Sequence, residues 1–496
     1  MAHPPSDAPG ARKTLISSSP SSPDSAGAPA ASPVPARAWP VLLAACAGHF
    51  LVVLDVSVVN VALPSMRADL GLSTTGLQWV LNTYSIAFAG FMLLGGRAAD
   101  LFGRKRTFLT GLALFTAASL AGGLAQEGWQ LLAARTAQGL GAAILAPATL
   151  TIVTAAVAPG AARTRAIGTW SAVGAAGGAT GGFVGGALTE LLSWRWVLLI
   201  NVPVGALVML AAALWLTESR DTAGRRLDLP GAILVTGGLA AVAYGVVQTE
   251  ESGWAAAATL VPLLAGVALL ALFVLVEART AAPLVPLRLF RSRAVTSANA
   301  TMMLCGSASF AMWFFMTVYA QNVLGYTPLE AGLALIPSSI SIVLGSTLAP
   351  WLMARVGART VAVGGLLTAG CGFAWQSTMT ADGTFLGTIL GPGILMMMGI
   401  GLAATPLAAV ATESAAPGES GLVSGLVTTS RTMGGAIGLA VLSTIAAART
   451  GGSEDPVDLT AGYAQSFQVG AGLMLTGALV SLVLLPRAPG RSRSPR

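Results

Sequence analysis

Fourteen apolar stretches, separated by short breaks, run through the chain from residue 38 to residue 486. A bilayer-spanning helix needs about 20 mostly apolar residues. The stretches are 38–63, 77–99, 107–125, 128–157, 165–189, 195–217, 230–248, 256–277, 295–321, 330–354, 359–380, 384–411, 421–447 and 464–486. Ala, Leu, Val and Gly fill them without the period-two alternation that an outer-membrane strand requires. Only 9% of residues are charged, where soluble domains carry about 25%. An ordinary water-soluble domain is excluded, and the expected fold class is an all-α integral membrane bundle of about fourteen transmembrane helices.

The formal charge of +7 comes from 27 Lys and Arg against 20 Asp and Glu, and their placement decides what the excess means. They collect in the two tails and in alternate breaks, while Arg67, Arg195 and Arg449 stand on the other side and Arg135 and Arg431 fall inside stretches. Basic residues mark the cytoplasmic loops of a membrane protein. Both termini are therefore expected in the cytoplasm, and the basic character reflects topology, with no nucleic-acid partner. Residues 1–37, rich in Pro, Ser and Ala, read as a disordered cytoplasmic tail, and 487–496 as a short basic one. The first apolar run starts too late and is too long for a cleaved signal peptide. Cys46, Cys305 and Cys371 lie singly in three stretches, so neither a disulfide nor a metal site is expected.

Gly168, Gly177, Gly178 and Gly181 of the fifth stretch align with Gly425, Gly434, Gly435 and Gly438 of the thirteenth. The break Leu101-Phe102-Gly103-Arg104 is echoed by Arg355-Val356-Gly357-Ala358. Both offsets equal eight helices. They fit two parallel six-helix bundles, 38–217 and 295–486, with a two-helix insert and its linkers at 218–294, a 6+2+6 layout. Such halves place a binding site between them near the midplane.

Asp55 is the one acidic residue placed well inside a stretch, and an ionised Asp there costs about 2.5–3.5 kcal/mol on insertion scales. Burial favours the protonated carboxyl and a nearby cation the ionised one, so a carboxyl held between them can load and release a proton; packing alone is the plainer alternative. Arg135 is the partner at matching depth: at 1.5 Å per residue, Asp55 lies roughly 12 Å and Arg135 roughly 9 Å from the outer ends of antiparallel helices. Arg431 has no carboxylate at its depth, which leaves a substrate or backbone carbonyls as its partner. His49 lies six residues from Asp55, on the opposite side of the helix, and reads as packing. Helix 5 carries Gly174, Gly178, Gly182 and Gly186 beside Gly177, Gly181 and Gly185, two stripes that admit a neighbouring backbone for static packing or for sliding. In the break from Gly96 to Arg106, Asp100 can hold Arg104 across the turn at Gly103; the alternatives are a gate latch or a topogenic cluster.

At these residues the chain resembles the fourteen-helix drug:proton antiporters of the major facilitator superfamily, along nearly all of 38–486. Asp55 to Pro64 is similar to the family's helix 1 signature, and Gly96 to Arg106 to its first loop motif. Arg135, Gln138, Gly139 and Gly141 resemble its helix 4 motif. Gly168, Gly177, Gly181, Gly185 and Gly186 match the helix 5 antiporter motif, whose Pro is Gly182 here. Further similar stretches are Trp194-Arg195-Trp196 to Asn201-Val202-Pro203, Pro283 to Phe290, Tyr326-Thr327-Pro328 with Ala331-Gly332, and Gly425 through Arg431 to Gly435.

The resemblance implies a major-facilitator fold and proton-driven export of drugs or antibiotics. Asp55 and Arg135 would couple, and Gly96, Asp100, Gly103 and Arg104 would gate; Asn60, Gln138 and Arg431 are the candidates for the substrate cavity. The implied partners are a small-molecule substrate, protons and the lipid bilayer. The protein would act as a monomer in a bacterial plasma membrane, without a cofactor and driven by the proton gradient. An exporter of an endogenous metabolite or self-made antibiotic is the near alternative, and a non-transporting sensor or scaffold the distant one. No P-loop, paired metal ligands or Ser/His/Asp set points to an enzyme or an ATP-driven pump. Two buried Arg against one Asp point to a neutral, zwitterionic or anionic substrate.

Overall fold

A computed structural model of the protein describes residues 39–157, 161–219, 228–280, 283–415 and 419–486, without the side chains of residues 74, 75, 100, 161, 164, 250, 251 and 420. Both expected tails, 1–37 and 487–496, lie outside the described residues. Sixteen α-helices follow in order: α1 Trp39–Leu70, α2 Thr74–Phe102, α3 Arg104–Gly123, α4 Gly128–Ala156, α5 Ala161–Leu191, α6 Trp196–Leu199, α7 Asn201–Trp215, α8 Leu229–Ser252, α9 Ala257–Arg279, α10 Arg293–Asn322, α11 Pro328–Ala334, α12 Ile336–Val356, α13 Ala358–Gln376, α14 Gly391–Glu413, α15 Ser420–Thr450 and α16 Pro456–Leu484. Helices α6 and α7 form one rod, as do α11 and α12, and a π-helical turn at Phe385–Leu390 leads into α14. Among the described residues this makes about fourteen rods, eleven of them long and apolar enough to cross a membrane. Helices α3, α5 and α13 fall short of that measure, α3 opening on Arg104-Lys105-Arg106 and α5 being rich in Gly and Thr.

Two helix ends depart from the apolar stretches. Helix α1 continues through Pro64 to Leu70, seven residues past the expected limit, and Trp194 Nε1 and Arg195 Nη1 both donate to its Asp69 (3.0 and 2.6 Å). Helix α16 starts at Pro456 instead of 464, because Asp455 caps it by accepting from Val457 N (2.8 Å) and proline suits the first helical position. Apolar runs mark the lipid-matched length, whereas these added turns are polar and satisfy their backbone within the helix.

Successive contacts close a ring of helices: α1 on α5, α5 on α11 and α12, α12 on α14, α14 on α10, α10 on α15, α15 on α2, α2 on α4 and α4 on α1. Helices α8 and α9 pair with each other, and α8 leans on α2 and α15. The buried carboxylates of Asp228 and Glu277 hold the strap that follows α9: Leu284 N donates to both (3.3 Å each) and Val285 N to Glu277 (2.9 Å). Sequence reading singled out Asp55 as the buried acid and passed over this pair, which sits at helix ends.

The glycine-matched helices α5 and α15 are packed alike. Ser57 Oγ of α1 donates to Gly178 O (2.9 Å), and Ser307 Oγ of α10 donates to Gly434 O (2.9 Å). At one end of the bundle, where the chain turns at residues 71–73, 192–195 and 323–327, the ring is sealed. Leu329 N donates to Glu190 (3.1 Å), Gln321 Nε2 to Val61 O (2.9 Å) and Arg67 to Glu454 (2.9 Å). At the opposite end, which carries Trp39 and Leu485, Gly168 and Ser171 of α5 and Gly421 and Ser424 of α15 are exposed. Near the seal, Gly185 and Gly186 of α5 and Gly435, Leu439 and Leu442 of α15 are buried. A face exposed toward one end and buried toward the other describes a recess that closes inside the bundle, since a lipid-facing surface would stay exposed along its length.

Candidate functional site

Five helices deliver polar side chains to one dry point inside the bundle. Asp55 of α1 and Arg135 of α4 have 0% and 1% of their surface exposed, and Gln138, Ser119, Asn201 and Tyr84 are buried with them. Arg135 Nη1 donates to Asp55 Oδ2 (2.6 Å) and to Gln138 Oε1 (2.5 Å). Gln138 Nε2 and Asn201 Nδ2 both donate to Asp55 Oδ1 (2.7 and 2.9 Å), and both reach Ser119 Oγ (2.7 and 3.4 Å). The guanidinium also bonds Val80 O (3.3 Å) and lies over the Tyr84 ring, 4.3 Å from its centroid.

The local sequence explains this convergence. Arg135 and Gln138, three apart, share a face of α4, and Gly139 lets α2 come close, its missing Cβ being where Tyr84 O lies. A methyl at Gly141 would stand 2.6 Å from Phe115 N, so α3 and its Ser119 also approach α4. A buried ion pair repays its desolvation only when the remaining donors and acceptors are satisfied. Here each carboxylate oxygen has a partner, and the cation has three more.

The Asp55–Arg135 pairing expected from depth is present. Gln138, expected at the substrate cavity, instead belongs to this cluster, because rotation of α4 turns it toward Asp55 and Ser119. Asn60 donates to Val56 O within its own helix (2.7 Å), leaving its buried Oδ1 without a partner among the described residues. His49 stacks on Trp170 at 3.9 Å, a packing contact as read. Arg431 makes none of the described bonds of this cluster and is exposed on the recess face of α15.

The helix 5 glycines divide between two partners. Gly177, Gly181 and Gly185 face α1, a methyl at Gly185 standing 2.6 Å from Val58 O; Gly182 and Gly186 face α11, where methyls would stand 3.1 Å from Gly332 O and 2.5 Å from Pro328 O. Gly168 has open space around it.

In the 96–106 loop, Gly103 has φ +101°, and Glu218 occupies the place of its missing Cβ. Glu218 accepts from Lys105 N and Arg106 N (3.2 Å each), and Arg104 N donates to Ser219 O (3.1 Å). The expected Asp100–Arg104 contact falls on the Asp100 side chain, outside the described residues. Gly96 lies 3.6 Å from the Pro147 side chain, measured from a methyl built on it. Sequence reading missed Asn201, Ser119, Tyr84 and Glu218. Asn201 stood in a noted stretch, but nothing tied it to a residue 146 positions away.

Comparison with known proteins agrees with this architecture. The family model of the Major Facilitator Superfamily matches residues 45–439. A cephamycin export protein of Amycolatopsis lactamdurans is 48% identical over 457 residues, covering 91% of this chain and 93% of that one. A puromycin resistance protein of Streptomyces alboniger is 38% identical, covering 90% and 92%. Among solved structures, a bacterial homolog of the human lysosomal transporter Spinster superposes with a TM-score of 0.66 at 17% identity, covering 91% of this chain and 97% of its own; that likeness concerns the fold. The chain belongs to the Major Facilitator Superfamily and is a multi-pass cell-membrane transporter, not an enzyme.

Proposed function

We propose that the protein is a proton-coupled antiporter that exports an antibiotic-like small molecule from the cytoplasm. The observation that carries this reading is the sealed Asp55–Arg135 pair, buried among Gln138, Asn201 and Ser119. Relatives named for cephamycin export and puromycin resistance support an antibiotic as cargo. In this reading fourteen helices span the membrane as 6+2+6, both termini lie in the cytoplasm, and the recess opens to that side.

Ionised Asp55 ties α1 to α4 through Arg135 and Gln138 and to α7 through Asn201. A proton on Asp55 removes the charge that holds them. Arg135 then keeps Val80 O, Gln138 Oε1 and the Tyr84 ring, so α4 and α2 stay together while α1 is released. Since α1 packs on α5, and α5 seals the ring against α11, protonation biases the sealed end. Each proton moving inward contributes about 2.3 kcal/mol per 100 mV. The protein works as a monomer and needs no cofactor.

Inverted membrane vesicles with an imposed proton gradient test this. Wild type should accumulate the antibiotic in step with proton release, and Asp55→Asn should abolish it. Full proton-coupled transport by Asp55→Asn would overturn the reading.

A further inference from the structure

Among the described residues, Arg431 has no counter-charge. It has neither a hydrogen-bond acceptor nor a carboxylate partner among the described residues, in contrast to Arg135. It is exposed, yet α10 packs closely beside it: the backbone of α15 at Arg431 presses on Gly306 of α10, next to the fully buried Cys305. Gly421, Ser424, Thr428 and Arg431 form one accessible line on α15 from the open end inward. One turn beyond Arg431 the line stops, where Gly435 packs under the Phe310 ring, a methyl there standing 2.7 Å from it. Arg431 is thus the last side chain reached from the mouth of the recess.

Four neighbouring polar side chains are engaged with partners other than Arg431. Ser430 Oγ donates to Asn299 Oδ1 (2.8 Å), Asn299 Nδ2 to Val295 O (2.8 Å), Thr428 Oγ1 to Ser424 O (3.1 Å) and Thr432 Oγ1 to Thr428 O (3.1 Å). An unpaired charge among transmembrane helices is costly and is kept where it serves a passing ligand. A guanidinium presents a planar fork of donors matched to a carboxylate.

We propose that Arg431 is the recognition point for a carboxylate on the cargo, so that the transported class is organic acids carrying an apolar body. This rests on the exporter reading above but not on proton coupling. The apolar body would lie against the surrounding walls, while the acid group reaches the head of the recess and pairs with Arg431.

The test is equilibrium binding to the purified full chain in lipid nanodiscs, with no gradient, using a cephem carboxylate and its methyl ester as matched probes. Wild type should bind the acid more tightly. Arg431→Gln should weaken the acid by about tenfold, the loss of one charged contact, and leave the ester unchanged, while Arg431→Lys should retain part of the preference. Failure of the acid to bind wild type, equal binding of acid and ester, or an equal loss of both in Arg431→Gln overturns the proposal. If Arg431→Gln does not fold, the wild-type preference and the Arg431→Lys response decide it. Preference for the acid together with uncoupled transport would sink proton antiport and leave this inference standing.

Discussion

Asn201 Nδ2 stands 2.9 Å from Asp55 Oδ1, so α7 supplies a donor to a carboxylate that α4 already holds through Arg135 and Gln138. A hydrogen bond to a charged group contributes about 1.5–3 kcal/mol. Asn201→Ala leaves Gln138 alone at that oxygen, and gradient-driven transport should fall by about tenfold or more. Asn201→Asp should be worse, because it sets a second carboxylate beside the first. Initial rates in vesicles with matched protein amounts decide this; wild-type rates for Asn201→Ala would remove α7 from the coupling account.

Asp55 and Arg135 were legible in the sequence because charge is scarce in these helices and their depths match. Gln138 was legible as a neighbour of Arg135 on one helix face, but its side of the recess depends on the rotation of α4, which apolar composition does not encode when every face is apolar. Asn201 and Ser119 are small, neutral and distant in the chain, and only packing brings them in. The helix 5 glycines announced close approach through their spacing. That Gly182 and Gly186 leave α1 and face α11, while Gly174 and Gly178 of the same stripe lie against α1, follows from the seal, a contact between distant segments. Helix number was readable from the length of apolar runs, and the ends of α1 and α16 were not, since capping and polar turns extend a helix past its apolar part.

Arg135 separates charge from geometry. Arg135→Leu strands Asp55 in a dry site, and breaking a buried pair costs about 3–5 kcal/mol. The expected outcome is a clear drop in thermal stability in detergent. Asp55→Asn with Arg135→Leu should recover much of that stability while remaining inactive in transport. Arg135→Lys keeps the charge but not the fork that reaches Asp55, Gln138 and Val80 together, and should be stable with reduced transport. If the double variant is no more stable than Arg135→Leu, the two residues are not energetically coupled.

Gly186 lies between helices that seal the ring. A side chain there meets Pro328 O and Leu329 Cα, at 2.5 and 2.7 Å from a built methyl. Gly186→Val should hold α5 away from α11 while leaving the α1–α5 pairing intact. Expression should stay near wild type and transport should fall. In a chain with Cys46, Cys305 and Cys371 replaced, a cysteine at Asn60 should react faster with an impermeant maleimide added at the sealed end when Gly186 is Val. Gly178→Ala is the control, since its methyl meets only Val53 Cγ1, at 3.6 Å, and gains helix propensity. Unchanged labelling in Gly186→Val would count against this seam as the seal.

Glu218 caps a helix from a distant segment. Gly103, the residue before α3, has no side chain to cap the helix with, and the first amides of α3 point to the Glu218 carboxylate that follows α7. The first amides of a helix lack internal partners, and the helix dipole favours an anion beside them. Glu218→Gln keeps the acceptor and loses the charge, costing about 0.3–1 kcal/mol. Glu218→Ala loses both, at about 0.5–2 kcal/mol. Gly103→Ala should be the most damaging: φ of +101° disfavours any L side chain, and the added methyl would collide with Glu218. Melting temperatures in detergent should therefore descend from wild type through Glu218→Gln and Glu218→Ala to Gly103→Ala. The bonds that Glu218 and Ser219 make with the first amides of α3 join it to the end of α7, so substrate binding should change less than stability in the same series. A series in which binding collapses while melting temperatures hold would assign the loop to the gate instead of to the framework of α2, α3 and α7.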